Sequence, residues 1–260
     1  LITFCEPRPN HQNLPLDERA KIKARQGVEL ISSGELRVVD DDGKEVPHDG
    51  ETLGEITVRG NVVMKGYYND PEATAAAIKD GWFHSGDIGD IDDRGFVRIT
   101  GRKKELIVTA AGKNVAPAVL EDRLRSHALV SQCMVVGDQK PFVAAIVTLD
   151  PEALPMWLKV AGKDESLTPA DLMEDAEVLA EIQGAVDEAN KAVSNAEAIK
   201  KWVLVPDEWT EEAGQMTPSM KLKRGVGQKE YEAQIEEIFA GADPAPDGRR
   251  WSTSRELPDD

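Results

Sequence analysis

Cysteine is scarce in this chain, whose 260 residues include only Cys5 and Cys133. Two cysteines so far apart in sequence exclude a disulfide framework and a cysteine-based zinc site, so they favour a reducing compartment. We therefore expect a cytoplasmic protein. The four histidines are dispersed without the spacing of metal ligands, which predicts no structural metal.

Basic residues are fewer than acidic ones, and long apolar runs are lacking. Lysine and arginine total 31 against 48 aspartates and glutamates, which gives a formal net charge of -17. Nucleic-acid backbones and anionic membranes attract basic surfaces, so this composition predicts no nucleic-acid partner. No window is apolar enough to cross a bilayer, which predicts no integral membrane segment and leaves peripheral membrane contact open.

The chain is long enough to bury one large core or two modest ones, and its patterning favours two. Up to Gly101, short alternating segments are separated by Gly, Asp and Pro, whereas helical periodicity dominates afterwards. We predict an α+β fold with a β-rich portion over residues 1–101 and a small α/β domain over residues 102–240. The composition of residues 241–260 predicts a disordered tail.

The β-rich portion contains two clear strand signals. Residues 35–46 have the pattern of a hairpin around an Asp-Asp-Gly turn. Residues 55–59 alternate, which predicts a strand with Ile56 and Val58 inward and Glu55 outward. The acidic run at residues 90–95 lacks the ligand spacing of a calcium loop, so we interpret it as a hairpin turn.

The second portion combines three strands with flanking helices. Apolar runs predict the strands over residues 131–138, 141–150 and 201–205. Residues 177–193 carry an apolar stripe at helical spacing, which predicts a helix packed on the core. A final helix is predicted over residues 226–239.

Several polar residues have the chemistry of a binding site, although each also has a simpler explanation. Asp87 follows a glycine, so its two acceptor oxygens can approach a pair of ligand hydroxyls, but a turn aspartate needs no ligand. Arg102 and Lys104 belong to a basic cluster that a solvated turn would equally explain. Gly112 lies in a turn where backbone can approach a ligand, and Lys221 lies in a basic loop.

Four segments taken together carry a family resemblance. They resemble the carboxyl-terminal half of acyl-CoA synthetases, which are members of the adenylate-forming (AMP-binding) superfamily. This resemblance implies that residues 1–101 close the large AMP-binding domain and that residues 102–240 form its mobile lid. It also implies a fragment, because the family's phosphate-binding loop is expected upstream. The segments are GEITVRGNVVMKGYY (54–68), GWFHSGD (81–87), GRKKELIVTAAGKNVAPAVLE (101–121) and TPSMKLKR (217–224).

The resemblance implies a role for each candidate residue. Asp87 and Arg102 match the positions that contact the ribose of ATP. Lys104 matches the hinge about which the lid swings, and Gly112 matches a turn that walls the coenzyme A channel. Lys221 matches the lysine inserted into the active site for adenylation. The cofactors implied are ATP, coenzyme A and Mg2+, with the Mg2+ ligand expected upstream.

The function implied is that of a fatty acid–CoA ligase. A carboxylate and ATP give acyl-AMP and pyrophosphate, and coenzyme A then gives acyl-CoA and AMP. Two alternatives remain at this stage: an acyl-AMP ligase that hands its product to a carrier protein, and a non-catalytic binding module. We expect the isolated chain to be inactive because the upstream nucleotide loop is missing.

Overall fold

The structure is a computed structural model that describes residues 3–6, 9–30 and 34–240. The chain consists of two compact units, and the boundary between them lies between Glu105 and Leu106. The sequence predicted this boundary four residues earlier, after Gly101. The predicted tail, residues 241–260, lies outside the described residues. Sheets and helices occur in both units, which confirms the predicted α+β class.

The first unit is built on an antiparallel sheet. Short 3-10 turns occur at Pro9–Asn13 and Lys103–Glu105. The strands and helices, in chain order, are β1 (Thr3–Phe4), α1 (Leu16–Lys23), β2 (Val28–Glu29), β3 (Glu35–Val39), β4 (Gly54–Arg59), α2 (Pro71–Ala77), β5 (Ile78–Lys79), β6 (Trp82–Ile91) and β7 (Val97–Arg102).

Strand β6 organises this sheet because it has different partners along its length. One edge of β6 pairs with β4, which in turn pairs with β3. The other edge pairs first with β5 and then with β7, all antiparallel. This register makes Asp87 the direct cross-strand partner of Arg102. A small core forms around Val38, Ile56 and Val97.

The turn between β6 and β7 is the predicted hairpin turn, closed by a bond from Gly95 N to the Asp92 carbonyl at 2.8 Å. The Asp92 carboxylate accepts from Phe96 N at 2.9 Å and Arg94 N at 3.0 Å, and it pairs with Arg25. Burial raises the pKa of Asp92, but these hydrogen bonds outweigh burial and lower the pKa to about 2.

The predicted outward orientation of Glu55 is wrong. Strand β4 is paired along both edges, with β3 and with β6, and the side chain of Glu55 is only 9% exposed. Thr57, on the same face, is also buried. A buried carboxylate is tolerated only when hydrogen bonds replace its water, and Glu55 has such partners.

The second unit begins with a short hairpin whose two strands have two residues each. A larger sheet covered by helices comes next. A 3-10 turn at Pro169–Leu172 carries the capping box formed by Thr168 and Asp171. The elements, in chain order, are β8 (Ile107–Val108), β9 (Asn114–Val115), α3 (Pro117–Leu124), β10 (Val130–Val136), β11 (Val143–Leu149), α4 (Leu154–Val160), α5 (Ala176–Asn190), β12 (Ile199–Val205), α6 (Arg224–Glu230) and α7 (Glu232–Phe239).

The three predicted strands are confirmed, and they form one sheet in the order β10-β11-β12. Strand β11 pairs antiparallel with β10 and parallel with β12. Successive side chains of a strand point to opposite faces. Val147 therefore packs with α3, α4 and α5, whereas Ile146 packs on the other face with α7. Because both faces of β11 are covered, every one of its residues is buried.

The final helix is interrupted, so the prediction of one helix over residues 226–239 is wrong. Helices α6 and α7 are separated at Tyr231, whose ring is buried. The Tyr231 hydroxyl accepts from Trp209 Nε1 at 2.9 Å and donates to the Asp207 carboxylate at 3.1 Å. Gly227 in α6 lies against Met134, where a Cβ would come within 3.2 Å of the sulfur.

Candidate functional site

Asp87 and Arg102 form an accessible ion pair on the first unit's sheet. Arg102 Nε lies 2.9 Å from Asp87 Oδ1, and their side chains are 26% exposed for Asp87 and 62% exposed for Arg102. Gly86 has a φ of +72°, which only glycine adopts readily and which bends β6 just before Asp87. Asp87 N donates to the Ser85 hydroxyl at 3.0 Å. The pair offers acceptors and donors to neighbouring ligand hydroxyls.

The buried carboxylate of Glu55 lies beside this pair and was missed as a functional candidate. Its Oε1 accepts from Gly86 N at 3.1 Å. Its Oε2 lies 3.0 Å from His84 Nδ1 and 3.3 Å from Lys103 Nζ. Lys103 also pairs with Asp41 at 3.0 Å. Sequence alternation assigned Glu55 to the polar side of its strand, so nothing in the sequence signalled this role.

The charges of this cluster are mutually stabilised. Burial raises the pKa of Glu55, but hydrogen bonding from His84, the charge of Lys103 and the Gly86 N–H outweigh burial, so the pKa lies below its ordinary value. Burial lowers the pKa of Lys103, but the hydrogen bond to Asp41 and the charge of Glu55 raise it above its ordinary value. Glu55 is therefore ionised, and the His84 Nδ1 facing it carries the hydrogen.

Lys104 lies in the turn Lys103–Glu105, one residue before the division between the units. Its side chain is exposed. An exposed charged residue stays solvated whatever its backbone angles, which is the physical requirement for a hinge position.

Gly112 lies in the turn of the β8–β9 hairpin. Its N donates to the Thr109 carbonyl at 2.8 Å, and its φ is +77°. A Cβ at this position would meet no atom within 4 Å. The turn therefore exposes bare backbone, while Lys113 beside it pairs with Glu197 at 3.4 Å.

Lys221 closes a tight turn, opposite Thr217. Its N donates to the Thr217 hydroxyl at 3.0 Å, and its carbonyl accepts from Thr217 N at 2.8 Å. Met220, at a φ of +57°, is 67% exposed, and the Lys221 side chain is also exposed. Within the described residues, no ion pair involves the Lys221 ammonium. The loop thus presents this cation to solvent from a hydrogen-bonded backbone.

The base of this loop is fixed to the core of the second unit. Arg224, the first residue of α6, pairs with Glu121 of α3, whose side chain is only 5% exposed. Glu121 also accepts from Val135 N at 2.7 Å, and Arg224 donates to the Val135 carbonyl at 3.3 Å. On the other side, Lys223 N donates to the Gln215 carbonyl at 2.7 Å.

The candidate residues divide between the two units. Asp87, Arg102 and Lys104 belong to the first, and the structure brings Asp87 and Arg102 into contact. Gly112 and Lys221 belong to the second. Over residues 3–6, 9–30 and 34–240, no group of three or more His, Cys, Asp or Glu side chains is arranged to hold a metal ion. No helix in these ranges is long and apolar enough to cross a membrane.

Sequence comparison identifies long-chain-fatty-acid–CoA ligases as relatives. FadD15 of Mycobacterium tuberculosis is 50% identical over 200 residues, which cover 76% of this chain and 33% of that protein. ACSBG2 of Gallus gallus is 37% identical over 256 residues, which cover 88% of this chain and 34% of that protein. The chain therefore spans about a third of the length of these curated relatives.

Solved structures of adenylate-forming enzymes share the fold. The adenylation domain of a carboxylate reductase from Mycobacterium chelonae superposes with a TM-score of 0.62 at 24% identity, covering 82% of this chain and 32% of that one. O-succinylbenzoate coenzyme A synthetase from Bacillus subtilis, in complex with AMP, gives a TM-score of 0.53 at 24% identity, covering 78% of this chain and 34% of that one.

Family profiles agree with the fold and with these relatives. The profile of the AMP-binding enzyme C-terminal domain matches residues 104–243, which is more than half of the chain. The chain belongs to the adenylate-forming, AMP-binding enzymes, and residues 104–243 are their C-terminal domain.

Proposed function

We propose that this chain is the carboxyl-terminal part of an ATP-dependent fatty acid–CoA ligase that works in the cytoplasm. The observation that carries the proposal is an exposed lysine, Lys221, on a hydrogen-bonded loop in a C-terminal domain of the AMP-binding family. Because the relatives are named long-chain-fatty-acid–CoA ligases, we infer a fatty acid as the substrate and coenzyme A as the acceptor.

In the first half-reaction, a carboxylate oxygen of the fatty acid attacks the α-phosphorus of ATP. The bond to the β-phosphate oxygen breaks, and pyrophosphate leaves. Asp87 accepts hydrogen bonds from the ribose hydroxyls, and Arg102 donates to the same sugar. The Lys221 ammonium stabilises the negative charge that builds on the α-phosphate, more strongly in the transition state than in the ground state.

In the second half-reaction, the coenzyme A sulfur attacks the acyl carbon, AMP leaves and the thiol proton passes to solvent. The lid turns about Lys104 between the two half-reactions, so that the Gly112 turn replaces Lys221 at the active site. Its bare backbone suits close approach to the pantetheine arm. The Mg2+ ligand is expected upstream of these residues, as the family resemblance implies; Mg2+ at nucleotide sites is held by one or two carboxylates together with the phosphates.

The test compares Lys221→Ala with Lys223→Ala in the full-length ligase. Both lysines are exposed in the same loop, but only Lys221 has a proposed role in catalysis. Lys221→Ala should slow acyl-AMP formation by on the order of 10²-fold or more, and it should spare thioester formation from supplied acyl-AMP. Lys223→Ala should leave both rates unchanged.

Two outcomes would contradict the proposal. Equal loss of both half-reactions in Lys221→Ala would remove its assigned role. If the wild type accumulates acyl-AMP in the presence of coenzyme A without forming a thioester, the protein is an acyl-AMP ligase instead. Chromatography of acyl-AMP and acyl-CoA from radiolabelled fatty acid measures both rates.

A further inference from the structure

One buried carboxylate contacts both chain segments that carry the proposed ribose-binding residues. Glu55 accepts from Gly86 N, the residue before Asp87, at 3.1 Å. It also lies 3.3 Å from Lys103 Nζ, the residue after Arg102. Glu55 belongs to β4, whereas Asp87 and Arg102 belong to β6 and β7. Three strands are therefore linked at one side chain, one residue away from each member of the ion pair.

The chemistry of this cluster suits an ionised acceptor. Gly86 N and Lys103 Nζ donate to the Glu55 carboxylate, and His84 Nδ1 lies 3.0 Å from it, in the position of a third donor. Charged partners also make these hydrogen bonds stronger than neutral ones. A carboxylate is the side chain that can accept from all three at once. Such a network rigidifies its surroundings when every member is satisfied.

The Gly86 contact acts directly on the position of Asp87. Gly86 has a φ of +72°, so the bend that aims Asp87 depends on a residue with few intrinsic restraints. The hydrogen bond from Gly86 N to Glu55 holds this bend from one side. The Lys103 contact holds the end of β7, where Arg102 lies.

We propose that Glu55 is a positioning residue for nucleotide recognition, which fixes Asp87 and Arg102 in the geometry that binds the two ribose hydroxyls. This inference rests on the proposed function, because it needs ATP as the ligand. Glu55 itself does not touch the nucleotide. It acts through the backbone of Gly86 and through the side chain of Lys103.

Glu55→Gln tests the network with little change of volume. If the glutamine oxygen accepts from Gly86 N, the glutamine NH2 faces the His84 and Lys103 donors. If the amide is reversed, the Gly86 hydrogen bond is lost. In either orientation at least one of the contacts from Gly86 and Lys103 is lost, and the negative charge is removed in both. The ion pair between Asp87 and Arg102 keeps its own atoms in this variant.

The measurement is kcat/KM for acyl-AMP formation by the full-length ligase with ATP and with 2′,3′-dideoxy-ATP. We expect the wild type to prefer ATP because only ATP has the hydroxyls. Glu55→Gln should lower kcat/KM for ATP by roughly 10-fold and leave the value for the dideoxy nucleotide nearly unchanged, so the preference shrinks. Lys103→Met, at an exposed side chain, should give a smaller loss of the same kind and replaces Glu55→Gln if that variant does not fold.

Asp90→Asn is the matched control. Asp90 is also a buried carboxylate, but it belongs to β6. Its side chain is 3% exposed, and it pairs with Arg98 at 2.6 Å. This variant should lower thermal stability while keeping the wild-type preference for ATP. Equal losses with both nucleotides in Glu55→Gln, or a lost preference in Asp90→Asn, would overturn the inference. A wild type that forms no acyl-AMP would overturn the proposed function itself.

Discussion

The ion pair between Glu121 and Arg224 should be a major determinant of stability in the second unit. Glu121 extends from α3 beneath the start of α6, and its side chain is 5% exposed, compared with 18% for Arg224. Both side chains also bond to the backbone of Val135 in β10. Glu121→Gln removes the charge but retains an oxygen for Val135 N. The perturbation is therefore confined to the pair.

The magnitude follows from burial. Removing one partner of a buried ion pair costs about 3–5 kcal/mol because the remaining charge loses its compensation. The partial exposure of Arg224 lets water solvate the guanidinium that remains, so we expect about 3 kcal/mol for Glu121→Gln. Arg224→Met should cost a similar amount. The double variant should recover roughly 1–3 kcal/mol relative to the sum of the two single changes.

Urea denaturation of the 260-residue chain measures these free energies of unfolding. Trp202 and Trp209 are buried in the second unit and report its unfolding by fluorescence. Hydrogen exchange adds a local measurement. The amides of Lys221 and Lys223 are bonded within the loop that Arg224 anchors, so they should exchange faster in both single variants.

The coupling energy decides whether this reasoning holds. A double-mutant coupling below about 0.5 kcal/mol would show that the two residues act independently. Unchanged exchange at Lys221, with the expected loss of global stability, would show that the pair stabilises the unit without anchoring the loop. Either result would refute the link drawn here between the buried pair and the lysine loop.

Three further predictions follow from individual positions. Gly112→Ala should destabilise the chain by about 1 kcal/mol in urea denaturation, from its φ of +77° alone, and in the full-length ligase it should slow thioester formation more than adenylation. Lys104→Pro should retain acyl-AMP formation and lose thioester formation, measured separately, because proline fixes φ near -65° and restricts the proposed hinge. The folded protein lowers the pKa of Asp92 to about 2, so ionised Asp92 stabilises the fold above the unfolded pKa near 4 and this contribution is lost as pH falls toward 2. Thermal denaturation measured across this pH range should show a loss of roughly 2 kcal/mol from Asp92. Asp92→Asn should make stability less dependent on pH in the same range.

Much of the fold was predictable because local patterns and tertiary structure agree. The apolar run of β11 predicted a strand, and covering on both faces explains why this run does not alternate. In α5, Val178, Ile182 and Val186 are all buried, as the helical spacing predicted. The capping box of Thr168 and Asp171 is likewise a local pattern, since its two residues are three positions apart.

The sequence predictions were wrong at positions whose environment is formed by residues distant in the sequence. Glu55 was expected in solvent because its partners, His84 and Lys103, are 29 and 48 positions away. Tyr231, where the helix is interrupted, accepts a hydrogen bond from Trp209, which is 22 positions away. Charge alone could not separate Lys221 from its basic neighbours, and its catalytic role remains a prediction, as do the roles of the other candidate residues.

The parallel pairing of β11 with β12 has a consequence for how the second unit folds. Strand β11 ends at Leu149 and β12 begins at Ile199, so this pairing closes a loop that contains α4 and α5. Loop closure must precede any gain from such non-local contacts, which slows folding. On a ribosome, β10 and β11 emerge as a hairpin whose second edge remains unpaired until β12 is synthesised. During that interval the unpaired edge can pair with another chain, which is a route to aggregation.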